Sequence, residues 1–235
     1  MTSFSDPDAV SRYRRRAEQL VPGLHHLHRM AGLLLAERAP VDARILVLGA
    51  GGGMELGVFS QMRPDWRFVG VDPSAAMLDL ARSSLGAAAS RVAFHEGYID
   101  TAPEGTFDAA VCLLTLHFLP EPERLATLRA LHDRLRPGAA LVAAHYSFPN
   151  RGADMDTWLT RSAAFAVASG VPQSEAVNNV NALKQRLPFL SPEQDEALLR
   201  QAGFADVALF YAGFAFRGWV CYRSETSEIP ARQPG

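Results

Sequence analysis

The residues best suited to bind a ligand begin with a glycine-rich turn. Residues 49–53 read Gly-Ala-Gly-Gly-Gly and lie between an apolar segment, residues 44–48, and a segment of helical character, residues 55–62. Glycine lets the backbone approach a ligand closely, and the first turn of a helix offers free amides and a positive dipole. Such a turn can also be purely structural. Its position favours a ligand site, because open parallel sheets bind ligands at the carboxyl ends of their strands.

The spacing of the glycines restricts the kind of ligand. A dinucleotide-binding turn has the pattern Gly-x-Gly-x-x-Gly, whose last glycine allows the helix to pack closely. Counting from Gly49, that third position is Met54. The turn instead reads Gly-x-Gly-x-Gly, which suits a nucleoside without a pyrophosphate. The sequence therefore disfavours NAD.

A carboxylate, Asp72, ends the next apolar segment, residues 66–71. A carboxylate in this position can accept hydrogen bonds from both hydroxyls of a ribose. The alternative is that Asp72 caps the following helix, but Ser74 is better placed for that cap. Met77, one turn into this helix, either lies against an adenine face or belongs to the core.

Short apolar segments alternate with amphipathic helices from residue 44 onward. The predicted strands are residues 44–48, 66–71, 92–95, 107–114 and 140–144, and the predicted helices between them are residues 55–62, 74–83 and 121–135. Continuous apolar strands separated by helices are typical of a parallel sheet covered on both faces. The last two predicted strands, residues 207–212 and 216–222, are joined by so short a link that they must be antiparallel.

Further helices flank this alternation. One is predicted from Ser5 to about Leu20, a second follows Gly23, and two more lie between residues 148 and 190. We predict a helical cap over residues 1–40 and one α/β domain over residues 41–223. Within that domain, residues 148–190 form a helical substrate lid whose aromatic residues suit either an apolar pocket wall or core packing. Residues 224–235 are predicted to be a disordered tail.

The composition excludes several classes of protein. The chain has 235 residues, 48% of them hydrophobic and 20% charged, and a formal net charge of −2. This balance argues against a disordered chain, and the weak charge argues against DNA as a partner. No apolar stretch approaches the ~20 residues of a membrane span, and the N-terminal residues lack the apolar region of a secretory signal. Two cysteines in apolar segments, Cys112 and Cys221, fit a reducing compartment, so we predict a cytoplasmic protein whose oligomeric state, a homodimer included, is left open.

The chain resembles the class I S-adenosylmethionine-dependent methyltransferases over residues 40–223. The resemblance is carried by residues 47–53 (VLGAGGG), 69–78 (VGVDPSAAML), 107–112 (FDAAVC) and 135–138 (LRPG), together with the reversed final hairpin. It implies an α/β, Rossmann-like fold with a seven-stranded, mostly parallel sheet and a reversed C-terminal strand. Helices would cover both faces, with N-terminal helices and a helical insertion after the fifth strand. One departure is Val47, where the family usually has an acidic residue that organises the glycine loop near the methionine end of the cofactor.

The resemblance also implies S-adenosyl-L-methionine as cofactor and methyl transfer to a small-molecule acceptor. The glycines would pass beneath the methionyl and ribose portions, Tyr98 and Ile99 would flank the adenine, and residues 113–115 would face the sulfonium. Tyr13 would close over the cofactor from the N-terminal helix. The predicted cofactor-binding residues are Gly49, Ala50, Gly51, Gly53, Asp72, Pro73, Met77, Tyr98, Ile99, Leu113, Leu114, Thr115 and Tyr13.

Histidines are the candidates for acid–base chemistry and for metal binding. Methyl transfer depends mainly on alignment of the reactants, and a general base is needed only if the acceptor must lose a proton early. His117, just beyond the fourth predicted strand, is the best-placed group for that role; alternatively, it packs at the rim of the site. His145 and Tyr146 are weaker candidates. His25 and His28 stand three apart, but no nearby acid or cysteine completes a ligand set, so we predict no metal site.

A narrower resemblance is to the carboxy-S-adenosylmethionine synthases. It is carried by residues 21–24 (VPGL), 30–38 (MAGLLLAER), 146–148 (YSF), 202–204 (AGF) and 214–216 (FAF). Those synthases hold an extra carboxylate with an arginine before the last helix, whereas this chain places Val180 or a neighbouring asparagine there, several residues from Arg186. Conventional methyl transfer is therefore the leading hypothesis. Synthesis of carboxy-S-adenosylmethionine for tRNA modification, or a non-catalytic binding module suggested by Val47, stay open.

Overall fold

Helices and strands alternate along the chain in the predicted order. The computed structural model describes residues 7–225, without the side chains of residues 7–11. The helices of this part are α1 Pro7–Leu20, α2 Leu24–Ala36, α3 Met54–Met62, α4 Ala75–Leu85, α5 Glu121–Arg134, α6 Asp154–Ala168, α7 Gln173–Arg186 and α8 Pro192–Gln201, with short 3-10 helices at Gly86–Arg91 and Leu116–Phe118. The strands are β1 Arg44–Leu48, β2 Arg67–Asp72, β3 Val92–Glu96, β4 Phe107–Leu113, β5 Leu135–Tyr146, β6 Phe204–Gly213 and β7 Phe216–Arg223. The predicted helix start at Ser5 and nearly all of the predicted tail lie outside the described residues.

The strands form one seven-stranded sheet in the order β3-β2-β1-β4-β5-β7-β6. Neighbouring strands are parallel except that β7 runs antiparallel to both β5 and β6. Because side chains alternate along a strand, β1 sends Ile45 and Val47 to one apolar core and Leu46 and Leu48 to the other. The sheet is thus covered on both faces, which confirms the predicted fold class, its reversed strand included.

Strand β5 is longer than the sequence suggests. The Arg-Pro-Gly segment, residues 136–138, predicts a break between a helix and a strand over residues 140–144. Instead α5 ends at Arg134, and β5 begins at once, with Leu135 paired to Phe107 of β4. A register shift follows that pair, and Gly138 adopts a φ of 76°. Pairing with β4 therefore overrides the local tendency to turn.

The helical insertion packs against the first helix. Gln19 of α1 donates a hydrogen bond from Nε2 to the carbonyl oxygen of Ser169 at 2.9 Å, and Arg16 forms an ion pair with Glu175 at 2.7 Å. Leu20 packs on a small apolar cluster of α6 and α7. The insertion consequently fixes α1 in place beside the sheet.

A buried ion pair between α5 and α8 lies beside a histidine of β5. Arg124 of α5 is fully buried and donates from Nη1 to Asp195 Oδ1 of α8 at 2.6 Å. His145 of β5 lies 3.2 Å from the same carboxylate oxygen. Burial alone would raise the pKa of Asp195, but His145 and Arg124 outweigh it and hold this pKa below its usual value. The cluster ties α5, β5 and α8 together.

No helix within residues 7–225 is both long enough and apolar enough to cross a membrane.

Candidate functional site

A cavity of about 930 Å³ opens at the carboxyl ends of β1, β2 and β4. Residues of α1, α2, the glycine loop, the loop after β3 and α5 complete its walls. This is the edge of the sheet at which open parallel sheets bind ligands. The cavity therefore defines the candidate site.

The glycine loop follows β1 and is held by the neighbouring strand. The amides of Gly49 and Ala50 donate to the carbonyl oxygen of Val71 at 2.8 and 3.0 Å. Gly49 has a φ of 77°, and a Cβ atom built on it would lie 1.9 Å from Oγ1 of Thr115. At the end of the loop, a Cβ atom on Gly53 would lie 3.0 Å from that of Ala81 in α4. Any other residue at Gly49 would therefore displace the loop or β4.

Asp72 holds the middle of the glycine loop. Its Oδ2 accepts a hydrogen bond from the amide of Gly51 at 2.9 Å, and its Oδ1 accepts one from the amide of Ser74 at 2.9 Å. Ser74 caps α4, since its side chain accepts a bond from the amide of Met77 at 3.3 Å. A carboxylate has about four lone-pair positions, so Asp72 keeps acceptor capacity on the cavity side.

The end of β4 has an unusual backbone. Leu114 adopts a φ of 58°, which a non-glycine residue rarely does, and its amide donates to the carbonyl oxygen of Ala144 at 2.6 Å. Thr115 Oγ1 donates to the carbonyl oxygen of Leu113 at 3.0 Å. Both leucines and the threonine line the cavity. Strain of this type is concentrated at functional sites, where the surroundings enforce it.

Tyr13 of α1 packs over the glycine loop. A Cβ atom built on Gly52 would lie 2.6 Å from the ring of Tyr13, whose side chain also lines the cavity. Burial, with a smaller effect of the nearby carboxylate of Glu55, raises the pKa of Tyr13 to about 12. The hydroxyl group of Tyr13 is therefore neutral and can donate a hydrogen bond.

The structure adds a carboxylate that the sequence did not single out. Glu55, in the first turn of α3, is 7% exposed and lines the cavity. Burial raises the pKa of Glu55 to about 8, although its own backbone amide opposes the shift. An acid directly after the glycine turn is the one signal in the sequence that points to this residue.

One histidine of the N-terminal cluster also lines the cavity. His28, on the same face of α2 as Leu24, is 4% exposed. Burial, followed by the neighbouring His25, lowers the pKa of His28 to about 4, so this imidazole is neutral at physiological pH. The apolar spacing of Leu24, Leu27 and Ala31 is the signal in the sequence that places His28 on the inner face of α2.

Most of the predicted cofactor-binding residues line this cavity, but two do not. Those that line it are Tyr13, Gly49, Gly51, Asp72, Pro73, Met77, Tyr98, Ile99, Leu113, Leu114 and Thr115. Ala50 is fully buried and packs under the loop near Gly70, and Gly53 faces α4. Tyr98 is 63% exposed, whereas Ile99 is 7% exposed. The two residues after β3 thus form an outer and an inner wall.

The predicted general base His117 is placed elsewhere. It is 4% exposed, is not among the cavity residues, and its ring packs edge-on against Tyr146 with the centroids 5.1 Å apart. The amide of Tyr146 donates to Nδ1 of His117 at 3.4 Å. Burial, followed by the neighbouring His145 and Arg124, holds the pKa of His117 well below its usual value. His117 therefore lies outside the described lining of the cavity, and its contacts fit the alternative of a packed histidine.

The predicted lid does not touch this cavity directly. None of residues 148–190 lines it; their contact with the site runs through α1, which contributes Tyr13 and Ala17. Two aromatic pairs pack here, with Phe165 against Phe214 of the β6–β7 turn at 6.0 Å and Phe148 against Phe189 at 5.0 Å between ring centroids. The insertion therefore packs against α1, which forms one wall of the site, but contributes no residue to the cavity itself.

Comparisons with known proteins agree with this architecture. The sequence model of a family described as a methyltransferase domain matches residues 45–138. Carboxy-S-adenosyl-L-methionine synthase of Chromohalobacter salexigens is 28% identical over 95% of this chain and 84% of its own. The synthase of Aeromonas salmonicida is 25% identical over 93% and 90%.

Solved structures share the fold. The pyocyanin biosynthetic protein PhzM superposes with a TM-score of 0.64 at 20% identity, over 93% of this chain and 59% of that one. Human N-acetylserotonin methyltransferase in complex with S-adenosylmethionine superposes with a TM-score of 0.58 at 16% identity, over 90% of this chain and 57% of that one. This chain therefore spans somewhat more than half the length of those two proteins. The match to a methyltransferase domain over residues 45–138, together with the sheet order, the glycine loop and the strand-end aspartate, supports a class I S-adenosylmethionine-dependent methyltransferase.

Proposed function

We propose that this protein transfers a methyl group from S-adenosylmethionine to a small-molecule acceptor bound in the same cavity. The observation that carries the proposal is the charge of the cavity walls. Four acidic side chains line the cavity, namely Glu55, Asp72, Asp100 and Glu123. No lysine or arginine accompanies them among the lining residues that the structure describes.

This charge pattern fits a cationic cofactor that has no phosphate. S-adenosylmethionine carries a sulfonium and an ammonium against a single carboxylate, so its net charge complements carboxylate walls. A pyrophosphate would meet several like charges in a partly buried space. The residues present therefore fit the cofactor of the family.

We assign binding roles to the predicted residues that line the cavity. The carboxylate of Asp72 accepts hydrogen bonds from the ribose hydroxyls, and Gly49 and Gly51 leave room for the cofactor above the loop. Ile99, with the outer Tyr98, flanks the adenine. The apolar end of β4 at Leu113 and Leu114 faces the sulfonium, which offers no hydrogen-bond donor. Tyr13 closes the site from α1.

Positioning accounts for the chemistry in this proposal. When bound, S-adenosylmethionine supplies an activated methyl group for an in-line displacement. The apolar side chains of Leu24 and Leu114 exclude water, and the rigid loop aligns the reactants, which can supply most of the acceleration. His117 takes no part. Because small-molecule pockets measure about 300–1,000 Å³, a cavity of about 930 Å³ suits a cofactor and a small acceptor together.

Binding of S-adenosylhomocysteine, measured by calorimetry, tests the proposal. Wild-type protein should bind it, and Asp72→Ala should weaken binding at least tenfold for each charge-assisted hydrogen bond lost, at about 1.5–3 kcal/mol per bond. The matched control is Asp79→Ala, which removes an exposed carboxylate of α4 that pairs with Arg82 outside the cavity. Absence of binding to the wild type would refute the proposal. A metabolite screen with labelled cofactor then searches for the acceptor, and any methylated product rejects the non-catalytic module.

A second candidate is synthesis of carboxy-S-adenosylmethionine, the activity in the names of the curated relatives. The cavity argues against it, because an added carboxylate needs a cationic partner. Val180 packs against the apolar core, and Arg186 is exposed at the end of α7, outside the cavity. Mass spectrometry of ligand released from purified protein distinguishes the two functions, since only the synthase function predicts that carboxy-S-adenosylmethionine is released.

The cellular setting of the protein stays a prediction from the sequence. Cys112 and Cys221 are both free and buried, which fits a reducing cytoplasm. Cell fractionation tests that location, and light scattering tests the homodimer.

A further inference from the structure

We infer that Glu55 is the carboxylate that receives the α-ammonium group of the cofactor, in place of an acid at position 47. The inference rests on the proposed cofactor site and deepens it by assigning the methionine end. Val47 is 1% exposed and packs in the apolar core, so position 47 contributes nothing to the cavity.

The placement of Glu55 is the first part of the argument. It stands one residue into α3, directly after the glycine loop, and its side chain lines the cavity while being 7% exposed. Within the part of the chain that the structure describes, no other side chain forms a hydrogen bond or ion pair with its carboxylate. A buried carboxylate without a partner is unfavourable, and a ligand cation offsets that cost.

The other carboxylates of the cavity are less suited to this role. Both oxygens of Asp72 already accept backbone amides at the ribose end of the loop. Asp100 and Glu123 are exposed and belong to the loop after β3 and to α5. Glu55 is thus the buried carboxylate of the described cavity that lacks a side-chain partner.

The groups that face Glu55 explain why it needs a cation. Tyr13 on α1, Asp72 at the end of β2 and Cys112 on β4 are each neutral or negative, and each interacts electrostatically with it. His28 on α2 lines the same cavity and is neutral at pH 7 because its pKa is about 4. With a pKa of about 8, Glu55 is mostly protonated at pH 7 in the free protein. Binding of an ammonium group favours the ionised form, so binding must release a proton.

Two ligands distinguish binding of the methionine end of the cofactor from binding of its nucleoside. S-adenosylhomocysteine carries the ammonium group, and 5′-methylthioadenosine has the same nucleoside without it. Glu55→Gln should weaken S-adenosylhomocysteine about 10- to 100-fold, which is the loss of one charge-assisted hydrogen bond, and should change 5′-methylthioadenosine less than twofold. Glu121→Gln is the matched control, because Glu121 is an exposed carboxylate in the first turn of α5, outside the cavity.

Proton release on ligand binding is a second measurement, and a general loss of stability in the variant would not reproduce its expected change. Calorimetry at pH 7 in two buffers of different ionisation enthalpy should show nearly one proton released per S-adenosylhomocysteine bound to the wild type. The Glu55→Gln variant should release almost none, and so should wild type with 5′-methylthioadenosine, whose binding also shows that the variant is folded. Equal weakening of both ligands, or unchanged proton release in Glu55→Gln, would overturn the inference while leaving the cofactor site intact. A wild-type protein that binds neither ligand would instead refute the proposed function.

Discussion

Replacing Glu55 with glutamine should make the ligand-free protein more stable above neutral pH. Burial raises the pKa of Glu55 from 4.5 to about 8 in the folded protein. A carboxyl group whose pKa is higher in the folded state favours folding only while it is protonated. Its contribution is therefore complete below pH 4.5 and is lost as the pH rises through 8. Glutamine has nearly the same shape and does not titrate in this range.

The size of the effect follows from proton linkage. With these two pKa values, the penalty for ionising Glu55 is about 1 kcal/mol at pH 5 and about 4 kcal/mol at pH 8. The difference in free energy of unfolding between Glu55→Gln and wild type should therefore grow by about 3 kcal/mol over this range. This is a large fraction of the 5–15 kcal/mol that typically stabilises a folded domain.

Urea unfolding of both proteins at pH 5, 6, 7 and 8, followed by circular dichroism, measures this difference. Other groups titrate equally in both proteins, so their contributions cancel in the comparison. Glu121→Gln, which removes an exposed carboxylate of α5, should follow the wild-type curve at each pH. Parallel curves for Glu55→Gln and wild type would refute the reasoning, because they would mean that the carboxyl group has the same pKa folded and unfolded.

Three further predictions follow from single contacts. Gly49→Ala should abolish binding of S-adenosylhomocysteine in calorimetry, because the added Cβ would lie 1.9 Å from Thr115 Oγ1; unchanged affinity would show that the loop can shift freely. Arg124→Met should lower the free energy of unfolding by about 3–5 kcal/mol in urea titrations, since it removes the arginine partner of the buried Asp195, and adding Asp195→Leu should recover much of the loss. His117→Phe should lower the free energy of unfolding by about 1–3 kcal/mol, because it removes a hydrogen-bond acceptor, and should leave the affinity for S-adenosylhomocysteine within twofold. A large loss of affinity would show that His117 contributes to the cofactor site.

The parts of the fold that the sequence predicts well are those set by local patterns. Strand β1 has the predicted bounds because a continuous apolar segment between a polar residue and glycines has few alternatives. Ser74 caps α4 as predicted, since the cap depends on neighbouring residues alone. The start of β5 was not predictable in this way, because residues 135–139 become a strand only through pairing with β4.

The same distinction applies to the site. Asp72 and the glycines sit where a strand ends, so their meeting at one edge follows from the topology. The spacing of Leu24, Leu27 and Ala31 places His28 on the inner face of α2, but the position of Glu55 and His28 at the cavity depends on α1 and α2 packing over the loop. For His117, proximity to a strand end in the sequence predicts a place at the cavity, whereas in the structure its side chain contacts Tyr146.

The charge of the cavity, and not that of the chain, decides which sulfonium compound fits. The chain carries 23 basic and 25 acidic residues, so its near-zero net charge could accompany a site of either sign. In the folded protein, carboxylates reach the cavity and no described lysine or arginine does. An ammonium next to Glu55 lowers the cost of that arrangement, whereas a further carboxylate on the methyl group would raise it. A cationic acceptor therefore complements these walls better than a carboxylate attached to the methyl group of the cofactor. This difference favours methyl transfer over synthesis of carboxy-S-adenosylmethionine in this protein.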